Sequence, residues 1–160
     1  MILLPFIDGM LRDETRDIVK ANDGQLIELD PEDEYDYGRQ LAQIFANTYA
    51  YESDPYIIII EHDIVPTQEH LNVMASCDHE WCGSPYHVHW NHDNPSRPHL
   101  GCTKFSKTLI LRTLPLWESI VPGCPWYSLA ETIEDYLDYE HQVQSVHKPV
   151  VHLHAYPVHG

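Results

Sequence analysis

Hydrophobic runs and amphipathic segments alternate along the first part of the chain. Residues 2–7, 25–29 and 56–60 form short runs with strand-like patterns and predict three strands. Between them, residues 12–20 and 37–49 carry apolar side chains at helical spacing and predict two helices. Strands and helices that alternate in this order are typical of an α/β fold with a parallel, doubly wound sheet.

The segment Tyr56–Ile60 is the clearest strand signal. Its four consecutive isoleucines are apolar on both faces of the strand, as in a central strand that helices cover on both sides. We therefore expect a three-layer α/β/α arrangement with a mostly parallel, Rossmann-like sheet. A length of 160 residues favours a single domain.

The second part of the chain predicts two helices, two strands, a polar loop and a segment packed against the sheet. In chain order these are the helix 66–76, the strand 82–88, the loop 87–99, the packed segment 104–114, the helix 128–143 and the strand 150–154. The spacing of Ser128 and Glu131 predicts a capping box at the start of the second helix.

The balance of charge is unusual. Nine Lys and Arg residues face 25 Asp and Glu residues, which gives a formal net charge of −16. Because such a surface repels phosphate, we expect no binding to a nucleic acid backbone. It would also repel a nucleotide-linked substrate, unless a divalent cation or well-placed arginines offset the charge locally.

The sequence predicts no membrane span. No targeting segment is evident, and no stretch approaches the roughly 20 apolar residues that cross a bilayer, so we expect a cytoplasmic protein. The four cysteines form no C-x-x-C pair, and we expect them to be reduced, buried thiols: Cys77, Cys82, Cys102 and Cys124.

An acidic segment, Glu61-His62-Asp63, follows the tetra-isoleucine strand. In open α/β sheets, ligands bind beyond the carboxyl ends of the strands. If the segment is extended, Glu61 and Asp63 point to the same side and present two carboxylates, which suits Mg²⁺ or Mn²⁺ that also binds a diphosphate. The structural alternative is a polar connection in which Asp63 caps the next helix.

Residues 37–66 resemble the donor half of GT-A glycosyltransferases, of a small, family 2-like kind. The pieces are Arg39 on a helix, the strand Tyr56–Ile60, and Glu61-His62-Asp63 with Pro66 after it, an E-x-D variant of the D-x-D motif. The resemblance implies Asp63 as the main metal ligand and Glu61 as a secondary one. It also implies a nucleotide-binding group, which comprises Pro5, Phe6, Asp8, Asp30, Arg39, Glu61 and His62.

The order of elements extends this resemblance to the rest of the chain, with a donor half at 1–66 and an acceptor half at 67–160. Residues 101–106 resemble a glycine-led turn before an acceptor-side helix. The C-terminal H-x-H resembles a segment that supplies a further metal ligand, for which we favour His154 and keep His152 as the alternate. Glu134-Asp135 resembles an E-D pair, which implies Asp135 as the catalytic base, with Glu131 as second choice.

The sequence therefore predicts a hexosyltransferase-like enzyme. It would use Mn²⁺ or Mg²⁺ to move a sugar from a nucleotide-sugar donor to a sugar, protein or other small acceptor. Two alternatives stay open. One is a histidine-rich hydrolase that binds Zn²⁺ through His152, His154 and a histidine from the loop 87–99. The other is a binding module for a nucleotide-sugar that has no catalytic activity.

Overall fold

The computed structural model describes residues 1–47, 53–84, 100–141 and 151–152. These residues form seven strands, five α-helices and two other helical turns. In chain order they are β1 (Ile2–Phe6), α1 (Asp13–Ala21), β2 (Gln25–Glu28), α2 (Asp36–Ala46), β3 (Tyr56–Ile60), β4 (Ile64–Val65), α3 (Gln68–Ser76), β5 (Trp81–Gly83), β6 (Cys102–Ser106), α4 (Lys107–Arg112), a π-helical turn (Leu116–Ile120), a 3₁₀ turn (Val121–Gly123), α5 (Trp126–His141) and β7 (Val151–His152).

Five strands form one mixed sheet in the order β2-β1-β3-β6-β5. Strand β1 is parallel to both β2 and β3, whereas β6 is antiparallel to β3 and β5, so four of the five strands point the same way. The α/β class predicted from the sequence is confirmed. The chain leaves β1 through α1 to reach β2 and returns through α2 to β3 on the other side of β1. The carboxyl ends of β1 and β3 therefore meet where the strand order reverses, which is where ligands bind in open α/β sheets.

Both faces of β3 are buried, as its four isoleucines predict. Ile58 and Ile60 belong to a buried cluster that includes Val19 of α1 and residues of α3. Ile57 and Ile59 belong to a second cluster, with residues of α2, α5 and the π-helical turn. Because side chains alternate along a strand, one hydrophobic run is shared between two sets of helices.

Strand β6 differs from the sequence prediction. We expected a glycine-led turn at residues 101–106 and a packed segment at 104–114, but residues Cys102–Ser106 form an antiparallel strand beside β3. Lys104 is buried in it, and its ammonium group donates to the carbonyl oxygen of Cys77 and lies over the ring of Tyr56. Cys77 and Tyr56 are far from Lys104 in the sequence but close to it in space, and these contacts offset the cost of burying a lysine in an interior strand. Helix α4 begins only after Ser106, whose hydroxyl accepts from the N–H of Leu109.

The last helix begins two residues earlier than the sequence predicts. Because α5 starts at Trp126, Ser128 lies in its first turn, and the Ser128 hydroxyl donates to the carbonyl oxygen of Pro125 over 3.3 Å. The predicted capping box with Glu131 is therefore wrong.

All four cysteines are free thiols, three of them buried and Cys77 half-buried. Across the described residues, every helix is too short or too polar to span a bilayer.

Candidate functional site

The acidic segment forms a tight turn at the carboxyl end of β3. The N–H of Ile64 donates to the carbonyl oxygen of Glu61 over 3.1 Å, and the N–H of Glu61 donates to that of Gly101 over 2.9 Å. The expectation of an extended segment, in which alternation points Glu61 and Asp63 to the same side, is therefore wrong. Both acids and His62 are half-buried. We call residues 61–64 the acidic turn.

Asp63 does not cap the next helix, so the structural alternative for this residue is wrong. The N-cap of α3 is Thr67, whose hydroxyl accepts from the N–H of His70 over 3.3 Å. The ring nitrogen Nδ1 of His70 accepts in turn from the N–H of Thr67 over 3.1 Å, which completes a capping box. With the helix start satisfied elsewhere, the presence of a carboxylate at Asp63 is not explained by capping.

Helix α1 anchors the acidic turn from one side. The N–H of Arg12, the residue before the helix, donates to the carbonyl oxygen of His62 over 3.3 Å. The buried hydroxyl of Thr15 donates to the carbonyl oxygen of Ile64 over 2.6 Å. These bonds join the start of α1 to both sides of Asp63 and fix the backbone of the turn.

Helix α2 anchors it from the other side. The hydroxyl of Tyr37, a buried residue in the first turn of α2, donates to Oε1 of Glu61 over 3.1 Å. A hydrogen bond to a carboxylate is stronger than one between neutral groups and holds the side chain in one orientation. The sequence does not single out Tyr37 as a site residue, because its position beside Glu61 depends on how α2 packs on the sheet.

The C-terminal strand lies beside the acidic turn. Strand β7 pairs with β4 in antiparallel register, so that His152 is opposite Ile64 and Val151 is opposite Val65. The backbone of His152 therefore runs next to the residue that follows Asp63. His154 and the histidines of the loop 87–99 lie outside the described residues. Within the described ranges, no three His, Cys, Asp or Glu side chains are grouped as a metal site.

The residues predicted to meet the nucleotide take different positions. Pro5 is buried within β1, whereas Phe6 is half-buried at its end and its carbonyl oxygen accepts from the N–H of Leu29 over 2.8 Å. Asp8 is exposed in the turn after β1. Asp30, just after β2, uses Oδ1 to accept from the N–H of Glu32 over 2.9 Å and so stabilises its own loop. Phe6 and Asp8 are thus at the carboxyl edge of the sheet, and Pro5 is inside it.

Arg39 is bound to the acidic loop before α2. Its guanidinium group pairs with Asp33 and lies 3.9 Å from a carboxylate oxygen of Asp36. The hydrogen bond from Arg39 lowers the pKa of Asp33 below its ordinary value. A diphosphate at this position would therefore compete with two carboxylates for the arginine.

The candidate bases on α5 do not share one environment. Asp135 and Glu131 are exposed, whereas Glu134 is only 8% exposed. Glu134 lines a small cleft with Leu100 and Thr103, at the end of β6 that adjoins the carboxyl end of β3. Of the predicted E-D pair, the glutamate therefore faces the sheet and the aspartate faces outward.

Two solved structures share the arrangement of these elements. A crystal structure of A197 from STIV is 15% identical to this chain, with a TM-score of 0.55; the match covers 94% of this chain and 83% of that protein. A crystal structure of a glycosyltransferase involved in the glycosylation of the major capsid of PBCV-1 is 14% identical, with a TM-score of 0.53; it covers 92% and 81%.

The chain shares the fold of these two proteins. The identities are too low for the likeness to show more than the fold. No family model matches the chain, and no curated protein sequence matches it.

Proposed function

We propose that this protein is a glycosyltransferase that moves a sugar from a nucleotide-sugar donor to an acceptor hydroxyl with the help of Mn²⁺ or Mg²⁺. The observation that carries the proposal is the position of the acidic turn. Glu61 and Asp63 follow the strand next to the topological switch of the sheet, and the strand that holds His152 lies beside them. A fold shared with a glycosyltransferase supports the same activity.

The proposal includes the finer fold. We take the sheet and its helices as a three-layer, Rossmann-like domain of GT-A type, with residues 1–66 as the donor half and 67–160 as the acceptor half. The two buried clusters on opposite faces of β3 support three layers. The mixed sheet, with β6 reversed, departs from a purely parallel doubly wound sheet.

The donor set fits a hard or borderline divalent cation. Asp63 and Glu61 offer carboxylate oxygens, and His154 or His152 offers an imidazole, a combination that suits Mn²⁺ and Mg²⁺ better than a thiolate-rich site would. When bound, the cation would neutralise charge that develops on the departing diphosphate. The Tyr37 hydroxyl would hold the carboxylate of Glu61 in one orientation toward the metal.

The acceptor side needs a base. In an inverting reaction, Asp135 would take the proton of the acceptor hydroxyl. The oxygen of that hydroxyl would bond to the anomeric carbon of the donor sugar while the bond from this carbon to the diphosphate breaks. Glu131 is the second choice. A comparison of Asp135→Asn, Glu131→Gln and Glu134→Gln in transfer activity separates the three, because each substitution replaces a carboxyl group by an amide of the same size, which is not a base.

Thermal melting tests the proposal as a whole. UDP and GDP, each tested with Mn²⁺, with Mg²⁺ and with a chelator, should raise the melting temperature by about 3–5 °C for at least one nucleotide, and only when a metal is present. No shift with any combination at millimolar nucleotide would count against nucleotide binding. Tightly held zinc in the purified protein, with no response to nucleotide, would favour the hydrolase instead.

A further inference from the structure

Three exposed aromatic side chains lie together at the loop after β2 and the start of α5. Trp126 is 60% exposed, Tyr127 is 66% exposed and Tyr35 is 37% exposed. The rings of Trp126 and Tyr127 meet edge to face with their centroids 5.7 Å apart. The N–H of Trp126 donates to the carbonyl oxygen of Glu34 over 2.8 Å, which ties α5 to the loop that carries Tyr35. We call Tyr35, Trp126 and Tyr127 the aromatic surface.

Folding does not explain why these side chains are aromatic. The two tryptophans Trp81 and Trp117 are fully buried in the core, whereas Trp126 and Tyr127 leave most of their area in water. The bond that anchors the helix start comes from the backbone of Trp126, so many residue types could make it. Exposed aromatic residues with a polar rim are typical of interaction surfaces, where a large apolar body and a polar tip are both used.

Carboxylates lie in the same two segments as the aromatic surface. Five acids stand in the loop before and at the start of α2: Asp30, Glu32, Asp33, Glu34 and Asp36. Glu131 follows Tyr127 by four residues and therefore lies on the same face of α5. In the described part of these two segments the cation is Arg39, and it is paired with Asp33 and Asp36. The hydroxyl of Tyr35 hydrogen-bonds the carboxylate of Glu34, which raises the pKa of Tyr35 above its ordinary value.

We propose that the aromatic surface docks a lysine- or arginine-rich segment of a partner protein. A cation over the face of Trp or Tyr is attracted by the ring, most strongly by Trp. The carboxylates of the loop and of Glu131 attract the same cation and steer its approach. A neutral sugar ring would stack on the aromatic rings but would gain nothing from the net negative charge. The inference goes beyond the proposed function and does not depend on it, since the docking needs neither nucleotide nor metal.

Fluorescence anisotropy with a labelled peptide of alternating lysine and glycine tests the proposal. At low salt we expect saturable binding to the full chain and none for a matched peptide of glutamine and glycine. The double variant Trp126→Ala/Tyr127→Ala should bind the lysine peptide roughly tenfold more weakly, since two ring–cation contacts are lost. Trp126→Phe should lose less. Because both side chains are exposed, the variants should keep the wild-type circular dichroism spectrum and melting temperature.

Charge variants separate a specific surface from general attraction to an acidic protein. Glu34→Gln/Glu131→Gln should weaken binding of the lysine peptide, whereas Glu14→Gln/Asp17→Asn, which removes two charges from exposed positions on α1, should not. Equal losses in the two double variants would overturn the proposal. Absence of lysine-peptide binding by the wild type would also overturn it. Binding of chitotriose that depends on Trp126, without binding of the lysine peptide, would indicate a sugar-binding surface instead.

Discussion

His152, near the end of the chain, is the cross-strand partner of Ile64, the residue that follows Asp63. The pairing brings the histidine-containing segment to the acidic turn, and a two-residue ladder holds it there. A metal site built in this way would take ligands from widely separated parts of the sequence. The site would then form only when strand β7 has paired with β4, in addition to the folding of residues 1–66 around the acidic turn.

The C-terminal histidines provide a first prediction. His154→Ala should weaken Mn²⁺-dependent nucleotide binding by about tenfold or more, which is the usual effect of losing support at a metal site. His152→Ala tests the alternate ligand. His79→Ala is the control, because His79 is exposed and contacts the thiol of Cys77. Wild-type binding by both C-terminal variants would exclude these two histidines as ligands.

The hydrogen bond from Tyr37 to Glu61 provides a second prediction. Tyr37→Phe keeps the buried ring and removes only the hydroxyl, so Glu61 loses one partner. Because hydrogen bonds to charged groups contribute about 1.5–3 kcal/mol, we expect the affinity for nucleotide with Mn²⁺ to fall by about tenfold or more. Tyr136→Phe on α5 is the matched control. Calorimetric titration measures the nucleotide affinity of both variants and of the wild type. If Tyr37→Phe binds as tightly as Tyr136→Phe, the orientation of Glu61 does not affect binding.

Gly38 provides a prediction about stability. A Cβ at this position in α2 would lie 2.2 Å from the carbonyl oxygen of Val121 and 3.1 Å from that of Cys124. This clash outweighs the roughly 1 kcal/mol that alanine gains over glycine in a helix, so we expect Gly38→Ala to lose about 2 kcal/mol of unfolding free energy. At Gly123, a Cβ meets no atom within 4 Å. Gly123→Ala should therefore be close to neutral in the same urea titration.

Burial of Cys102 predicts a loss of stability at alkaline pH. Burial raises its pKa from 9.0 to about 12, so the native state keeps the proton while the unfolded chain releases it. Between the two pKa values the unfolded state binds fewer protons, and stability falls as pH rises. From about pH 8 to about pH 10, Cys102 accounts for a loss of about 1.3 kcal/mol.

The variant Cys102→Ala isolates this contribution, whatever its cost at neutral pH. Its unfolding free energy should fall less steeply over the same range than that of the wild type, by the amount given above. Other groups that titrate in this range, among them tyrosines, lysines and the other three cysteines, are common to both proteins and largely cancel in the comparison. Identical slopes would mean that the thiol is not desolvated in the native state.

Local pattern explains the parts of the fold that could be predicted. The four isoleucines of β3 exclude water on both faces and define a central strand without help from distant residues. Strand β6 could not be predicted in the same way, because Lys104 is buried only where the Cys77 carbonyl and the Tyr56 ring come near. Strand β4 has only two residues, too few to produce a pattern.

The same distinction applies to the site. The acidic turn was recognisable from its place after a strand, and the strand near His152 was expected from its apolar residues. The conformation of the turn depends on the bond from Ile64 to Glu61 and on α1, and so the expected alternation of Glu61 and Asp63 was wrong. The resemblance implies Asp135 and Glu131 as bases, whereas their exposure depends on how α5 packs.

The central claim is that Asp63 binds a metal–nucleotide complex and has no role in capping a helix. The direct measurement is a calorimetric titration of UDP and GDP with Mn²⁺ present, for the wild type, Asp63→Asn and Thr67→Ala. We predict that Asp63→Asn abolishes binding and leaves the protein folded, with a single cooperative unfolding transition like that of the wild type. Thr67→Ala should keep binding and lose about 1 kcal/mol of stability, since it removes the cap of α3. Undiminished nucleotide binding by Asp63→Asn would contradict the claim.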